Sequence, residues 1–269
     1  MSLIIRRIIT GQSSSAIRWA KVHFYYAHTL SSLAATSTAS GYDVANLLNR
    51  LELNGWKATS TATQYITFDA GLGNTYAADY VAISGHNLFT ADSLISVEYS
   101  DDNFVADVNA AFTPETPGDN LEYVKEFTEF DERYSRIKIE SNSVAPEIAI
   151  GYWGPKTELD YASTSYDPNS MEDKAIVNVS DTGFVMGIHE RFVERRFNLS
   201  FRDAELSLYA KLKTWFEAIG QENFFVAFDP TNHSDDVFLM RSGKKFTNPF
   251  VRGGLYRNIN INLVGRMQE

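Results

Sequence analysis

The chain has no cysteine among its 269 residues, so disulfides, thiolate nucleophiles and Cys-ligated zinc or iron–sulfur centres are excluded. That absence suits assembly in a reducing compartment. Basic residues are the scarcer charge. Lys+Arg 24 against Asp+Glu 34 leaves a formal net charge of −10, the wrong sign for a phosphate track, so no nucleic-acid partner is expected. No apolar run reaches the roughly 18 residues that a spanning helix needs, so no membrane span is expected. At the N-terminus Arg6 and Arg7 lie inside an apolar run rather than ahead of it, the wrong order for a signal peptide. Leu3–Ile5 and Ile8–Ile9 read instead as a first β-strand, in a chain that stays in the cytoplasm of the cell that makes it.

What the chain does have is aromatic bulk: Trp 4, Tyr 14 and Phe 18 in a composition that is 44% hydrophobic and 22% charged. This is the make-up of a folded protein with a sizeable core, in one large β domain or two ordinary ones. Period-two alternation dominates. In Gln64–Asp69, Ile66 and Phe68 alternate with Thr67 and Asp69, and Gly71 and Gly73 follow as punctuation. Asp79–Ser84, Leu94–Tyr99, Arg136–Glu140 and Glu147–Trp153 repeat the device at intervals marked by Gly, Asn, Asp and Pro. Short alternating runs split by turn residues predict a mainly β chain, a β-sandwich or jelly roll. Residues 160–175 lose both periods and read as a linker. Beyond them Phe197, Leu199 and Phe201, and later Ile259, Ile261 and Leu263, alternate with polar neighbours.

One segment has the helical period. Ala204, Leu208, Leu212, Trp215 and Ile219 form a single stripe that Phe216 widens. Asp203 is suited to the N-cap, Glu205 to the first turn and Gly220 to the C′ position, predicting a helix over 203–219 packed on a sheet.

Catalytic motifs fail on inspection. His189-Glu190 opens like a zinc-protease motif, but Val193 stands where the second histidine is required. Gly71-Leu-Gly lacks the third glycine of a dinucleotide loop. No Gly-x-Ser-x-Gly elbow and no Gly-Lys-Ser/Thr phosphate loop occurs. His23, His28, His86, His189 and His233 have no metal-ligand spacing. The pairs Asp101/Asp102 and Asp235/Asp236 sit in turn contexts, where a glycosidase dyad would have to be assembled in space. The sequon at Asn178 carries weight only in a secreted chain. No enzymatic activity, cofactor or metal is expected. The mixed-sign cluster Glu190, Arg191, Glu194, Arg195 and Arg196 is either an exposed strand face or an ion-paired subunit interface.

The succession Gly41-Tyr-Asp-Val-Ala-Asn-Leu-Leu-Asn, Gly55-Trp-Lys-Ala, Gln64–Gly71, Asp79–Leu88, Ile95–Asp102, Arg136–Ile139 and Glu147–Gly154 resembles a discoidin-type, galactose-binding-like jelly roll over roughly residues 34–159. The ending Tyr-Trp-Gly-Pro followed by a second β domain resembles minor tail proteins of long-tailed bacteriophages. Phe197–Arg202, a helix and Asn223–Pro230 resemble the strand–helix–strand of tail-tube and distal-tail belt domains, here over 176–269. Residues 1–33, with strands at Ile4–Ile9 and Val22–Tyr26, are expected to reach back to that second domain.

The resemblance implies a structural subunit of a phage tail tip or baseplate. Such a subunit forms a homo-oligomeric ring, hexamer or trimer, contacts other tail proteins, and resides in the virion after synthesis in the host cytoplasm. It also implies contact with host-surface glycans through loops at one end of the jelly roll. Candidates there are Tyr42, Trp56, Lys57, His86, Asn87, Asp101, Asp102 and Asn103, since aromatic faces stack on sugar rings while amides and carboxylates bond hydroxyls. Each also has an architectural reading, Trp56 as a plug of the barrel end, His86 and Asn87 as a turn, the Asp pair as a hairpin. The alternative to the tail role is a stand-alone carbohydrate-binding protein or accessory module.

Overall fold

A computed structural model describes residues 21–26, 33–141, 143–162, 170–230, 236–243 and 245–267. The strand expected at Leu3–Ile9, the middle of the 160–175 connection and Asp235 lie outside them. The strands are β1 (Lys21–Tyr25), β2 (Leu33–Ala35), β3 (Trp56–Lys57), β4 (Gln64–Asp69), β5 (Tyr76–His86), β6 (Leu94–Ser100), β7 (Asn109–Ala110), β8 (Tyr123–Glu132), β9 (Tyr134–Glu140) and β10 (Glu147–Gly154). They continue as β11 (Thr157–Tyr161), β12 (Met171–Asp173), β13 (Ile176–Val179), β14 (Val185–His189), β15 (Val193–Ala204), β16 (Asn223–Ala227), β17 (Val237–Ser242), β18 (Phe250–Val251) and β19 (Tyr256–Arg266). Leu206–Ile219 form the helix α1.

The chain divides into two compact units. One comprises Phe24–Thr157 with Asn223–Phe225, and the other Glu158–Glu222 and Val226–Glu269 with the segment ending at His23.

The first unit is a jelly-roll β-sandwich of two antiparallel sheets, ordered β2-β4-β9-β6-β7 and β3-β10-β5-β8. Its sequence alternation becomes its layers. In the register of β4, β9 and β6, Ile66 lies opposite Ile137 and Ile137 opposite Val97, so one row of branched side chains crosses the sheet facing inward. Ile66, Val97, Ile137 and Ile139 are fully buried against Val81, Ile83, Ile148 and Trp153 of the other sheet. Each such side chain contributes about 1.5–3 kcal/mol relative to exposure. Trp153 also pins the layers together, its indole Nε1 donating to Ser135 Oγ on β9 at 3.0 Å. The mainly β, jelly-roll expectation is the architecture the chain adopts.

A further sheet of eight strands runs β11-β1-β16-β17-β19-β15-β12, with β18 added alongside β19. Phe197, Leu199 and Phe201 of β15 lie opposite Leu263, Ile261 and Ile259 of β19, giving the sheet one buried face. The expected stripe of α1 is the buried one: Leu208, Leu212, Trp215 and Ile219. The start of the helix differs from expectation. Strand β15 continues through Ala204, Glu205 is the N-cap without a side-chain bond, and the helix begins at Leu206 rather than at Asp203. Asp203 is drawn away by a stronger partner. At φ 52 it binds Arg252 through two oxygens, at 2.7 and 2.6 Å. Gly220 ends the helix at φ 59, its N–H donating to the carbonyl of Phe216. Apart from this sheet, β13 and β14 form a two-stranded hairpin of their own.

Candidate functional site

Local sequence rules place Tyr42. Ser40-Gly41 occupies the centre of a turn closed by Tyr42 N–H donating to Ala39 C=O at 3.0 Å, and Gly41 takes the φ of 86 that the third position of such a turn requires. Asp43 then caps the 3-10 turn Val44–Leu48, accepting from Ala45 N–H at 2.8 Å. Tyr42 is held between these two devices, and the residue is 45% exposed. Lys57 on β3 reaches to 5.9 Å from that ring, and its Nζ bonds Glu147 Oε2 at 2.7 Å. The Glu147 carboxylate raises the Lys57 ammonium pKa above its ordinary value. An apolar ring face, a cation and a carboxylate thus share one end of the sandwich, all open to solvent.

Other candidates at this end serve the fold. Trp56 is fully buried, and its indole donates to Ser37 C=O at 3.0 Å. Asn87 is a clamp: its amide donates to Ala145 C=O and its oxygen accepts from Glu147 N–H, both at 3.0 Å, tying the end of β5 to the start of β10. His86 is buried, with Nδ1 accepting from Leu88 N–H at 3.3 Å, and burial pushes its pKa down to about 4. It stands neutral at pH 7.

Asp101, Asp102 and Asn103 lie elsewhere. The chain leaves His86, turns, and runs the seven residues of β6 from Leu94 to Ser100 before reaching them. At about 3.3 Å per residue they sit roughly 20 Å away, at the opposite end of the sandwich. There the Asp102 carboxylate accepts from Ser100 Oγ and from the N–H groups of Val105, Ala106 and Asp107, which lower its pKa. Asn103 and Phe104 turn the loop at φ 61 and 62. Asp102 is therefore the anchor of its own loop, while Asp101 and Asn103 are exposed beside it. The structure brings Tyr42, Lys57, Trp56, His86 and Asn87 to one end and does not bring the Asp101–Asn103 turn to them.

Sequence reasoning passed over the outer face of the five-stranded sheet. Arg136 lies between the rings of Tyr65, at 4.0 Å, and Phe104, at 3.8 Å, and binds Glu98 at 2.6 Å. Lys138 continues the row between Glu98 and Glu140. The outward positions of β4 and β9 were legible as polar, but the pairing of Phe104 with them depends on how the Asp102 loop folds back.

The mixed-sign cluster of the second unit is divided among several roles. Glu194 is buried under Arg196, at 2.7 Å, and Lys174, at 3.4 Å. Arg196 also binds Glu172 at 2.7 Å, and Arg195 lies on the other face, 3.7 Å from the Phe238 ring centroid. Glu190 and Arg191 are exposed where β14 leads into β15. Among the described residues no group of three or more His, Cys, Asp or Glu is placed to hold a metal ion. Nor is any helix among them long and apolar enough to cross a membrane.

No family model matches the sequence, and no curated protein matches it. Among solved structures the chain is similar to chitosan-binding module 1 of a chitosanase/glucanase from Paenibacillus sp. IK-5, with TM-score 0.39 and 15% identity over 52% of this chain and 98% of that one. It is also similar to the CBM32 of AlyQ in complex with 4,5-unsaturated mannuronic acid, with TM-score 0.38 and 21% identity over 48% of this chain and 96% of that one. A third is a CBM32 module from Clostridium perfringens in complex with GalNAc-beta-1,3-galactose, with TM-score 0.38 and 13% identity over 46% of this chain and 94% of that one.

Proposed function

We propose that the protein binds carbohydrate through the end of its jelly roll that carries Tyr42. The observation that supports this is the exposed Tyr42 ring beside the Lys57–Glu147 pair. The C–H face of a sugar stacks on such a ring while an ammonium donates to one hydroxyl and a carboxylate accepts from another. The pair carries no net charge, so the reading is of a neutral glycan. It is a binding function without catalysis. A glycan array identifies the ligand, and calorimetry with the best hit reads the site. Tyr42→Ala and Lys57→Ala each weaken binding at least tenfold on this reading. Retention of full affinity by both variants, or an array with no hit, refutes it.

A second reading, compatible with the first, is a structural subunit of a bacteriophage tail tip or baseplate. It assembles as a hexameric or trimeric ring among other tail proteins and resides in the virion tail. The observation that favours it is the hairpin β13–β14, whose large side chains stand in solvent: Ile176, Val177, Val179, Val185, Met186 and Ile188 are all at least half exposed. Monomeric soluble proteins rarely leave such a patch uncovered. Light scattering with negative-stain imaging tests it. A ring with an axial hole supports the reading, and a monomer at high concentration refutes self-assembly.

A further inference from the structure

Trp56 and Lys57 form β3, the edge strand of its sheet, and pair with β10. Just beyond them Ala58 N–H donates to Pro146 C=O at 2.9 Å. Antiparallel strands alternate bonded and non-bonded pairs, so Trp56 and Ile148 make the next bonded pair and Gly55 falls at a non-bonded position. The Gly55 N–H and C=O therefore point away from β10, toward the open edge of the sheet. There the C=O accepts from Asn46 Nδ2 at 3.2 Å. Among the described residues no hydrogen bond holds the N–H.

Packing requires glycine at this position. A Cβ on Gly55 would stand 2.6 Å from Ile148 O and 2.8 Å from Ala149 Cα, too close for any side chain. The residue ahead of it, Asn54, is exposed. Asn54-Gly55 is the only Asn-Gly pair in the sequence. With no Cβ, glycine leaves its own nitrogen unhindered and its backbone free to bring that nitrogen against the Asn54 amide carbon. Both groups belong to one dipeptide, so the attack is intramolecular and needs no encounter.

We infer that Asn54 is a self-modification site, converting without an enzyme to aspartate and isoaspartate in the folded chain. Gly55 N bonds to Asn54 Cγ, the Cγ–Nδ2 bond breaks, and ammonia leaves with the Gly55 proton, closing a five-membered imide. Water then opens the ring. Opening at Cγ gives aspartate, and opening at the backbone carbonyl gives isoaspartate, whose main chain runs through Cγ. No electrons are gained or lost. Either product ionises and adds one negative charge to the chain's −10. Isoaspartate also lengthens the main chain by one atom, directly ahead of the close contact of Gly55 and the buried Trp56. Both changes fall in the segment that leads into Lys57, and neither needs a glycan or a second chain.

The test ages the full chain in mildly alkaline buffer and digests samples with trypsin. Cleavage after Arg50 and Lys57 releases Leu51–Lys57 as one peptide. The expected result is its conversion into two chromatographically distinct products, each heavier by about 1 Da. The rate should lie within about tenfold of that of a synthetic peptide of the same sequence. The Val22–Arg50 peptide, with Asn46 before Leu47 and Asn49 before Arg50, should stay unchanged in the same digests. Asn54→Gln, at an exposed position, should abolish both the mass shift and the acidic band that accompanies it on isoelectric focusing. A folded-chain rate further below that of the free peptide would show that the fold shields Asn54, and overturns the inference. Aspartate as the single product overturns it too, because direct hydrolysis makes no isoaspartate. So does an acidic band that persists in the Asn54→Gln chain.

Discussion

Replacing Trp56 with Phe separates an architectural tryptophan from a sugar platform. The indole is fully buried and donates to Ser37 C=O. Phe removes about 50 Å² of buried aromatic surface, worth about 1 kcal/mol by area. It also leaves the Ser37 carbonyl without its donor, which adds about 1–3 kcal/mol where water cannot reach. The jelly-roll unit should therefore lose about 2–4 kcal/mol, a roughly 30- to 1,000-fold rise in the exchange of its most protected amides. Because two units need not unfold together, the assay is hydrogen-exchange mass spectrometry on β4 and β9 peptides rather than a whole-chain melt. Glycan affinity of the folded variant should match the wild type, since Trp56 presents no face to solvent. Unchanged protection together with a tenfold loss of affinity would show that the ring meets ligand, and the reasoning would fail.

Acidification should weaken the jelly roll through His86. Burial holds its folded pKa near 4, below the 6.5 of an unfolded histidine, so the unfolded chain takes up the proton first. Stability is then lost progressively as pH falls from about 6.5 to about 4, by up to about 3 kcal/mol, and levels off below. An imidazole titration by NMR with a midpoint near 6.5 would refute this. Gly85→Ala should destabilise the unit by about 2 kcal/mol or more, because its φ of 61 disfavours a side chain and the added Cβ would stand 2.7 Å from the Ala149 Cβ. A urea midpoint equal to that of the wild type counts against it. Asp102→Ala should free three backbone N–H groups and speed exchange across Val105–Asp107 while leaving β9 protected. Equal exchange in that loop would show that the carboxylate is not its anchor.

The strands of the jelly roll were legible because a half-buried strand writes its pairing in its own letters. Gln64–Asp69 and Arg136–Glu140 alternate residue by residue, and the buried positions are the ones the alternation assigns. The helix was legible by its stripe but not by its start. Asp203 satisfies every local rule for an N-cap, yet Arg252, 49 residues away, offers it a bidentate partner. The candidate site was legible in part. Tyr42 follows from Ser-Gly-Tyr-Asp, a turn and a cap in four letters. Nothing near Trp56 in the sequence distinguishes a buried ring from an exposed one.

What the sequence determined by itself is therefore whatever depends on neighbours in the chain: the β class, the faces of the strands, the turn that holds Tyr42, and the chemistry excluded by having no cysteine and an acid excess. The tertiary structure alone decided which residues meet. Asp101–Asn103 and His86–Asn87 are close in sequence and of similar character, but a single strand of seven residues carries them to opposite ends of the sandwich. Val177 and Ile188 are eleven positions apart, and cross-strand pairing makes them one exposed face. Convergence and exposure are set by connections and register, and these come from packing between segments whose local patterns are silent about one another.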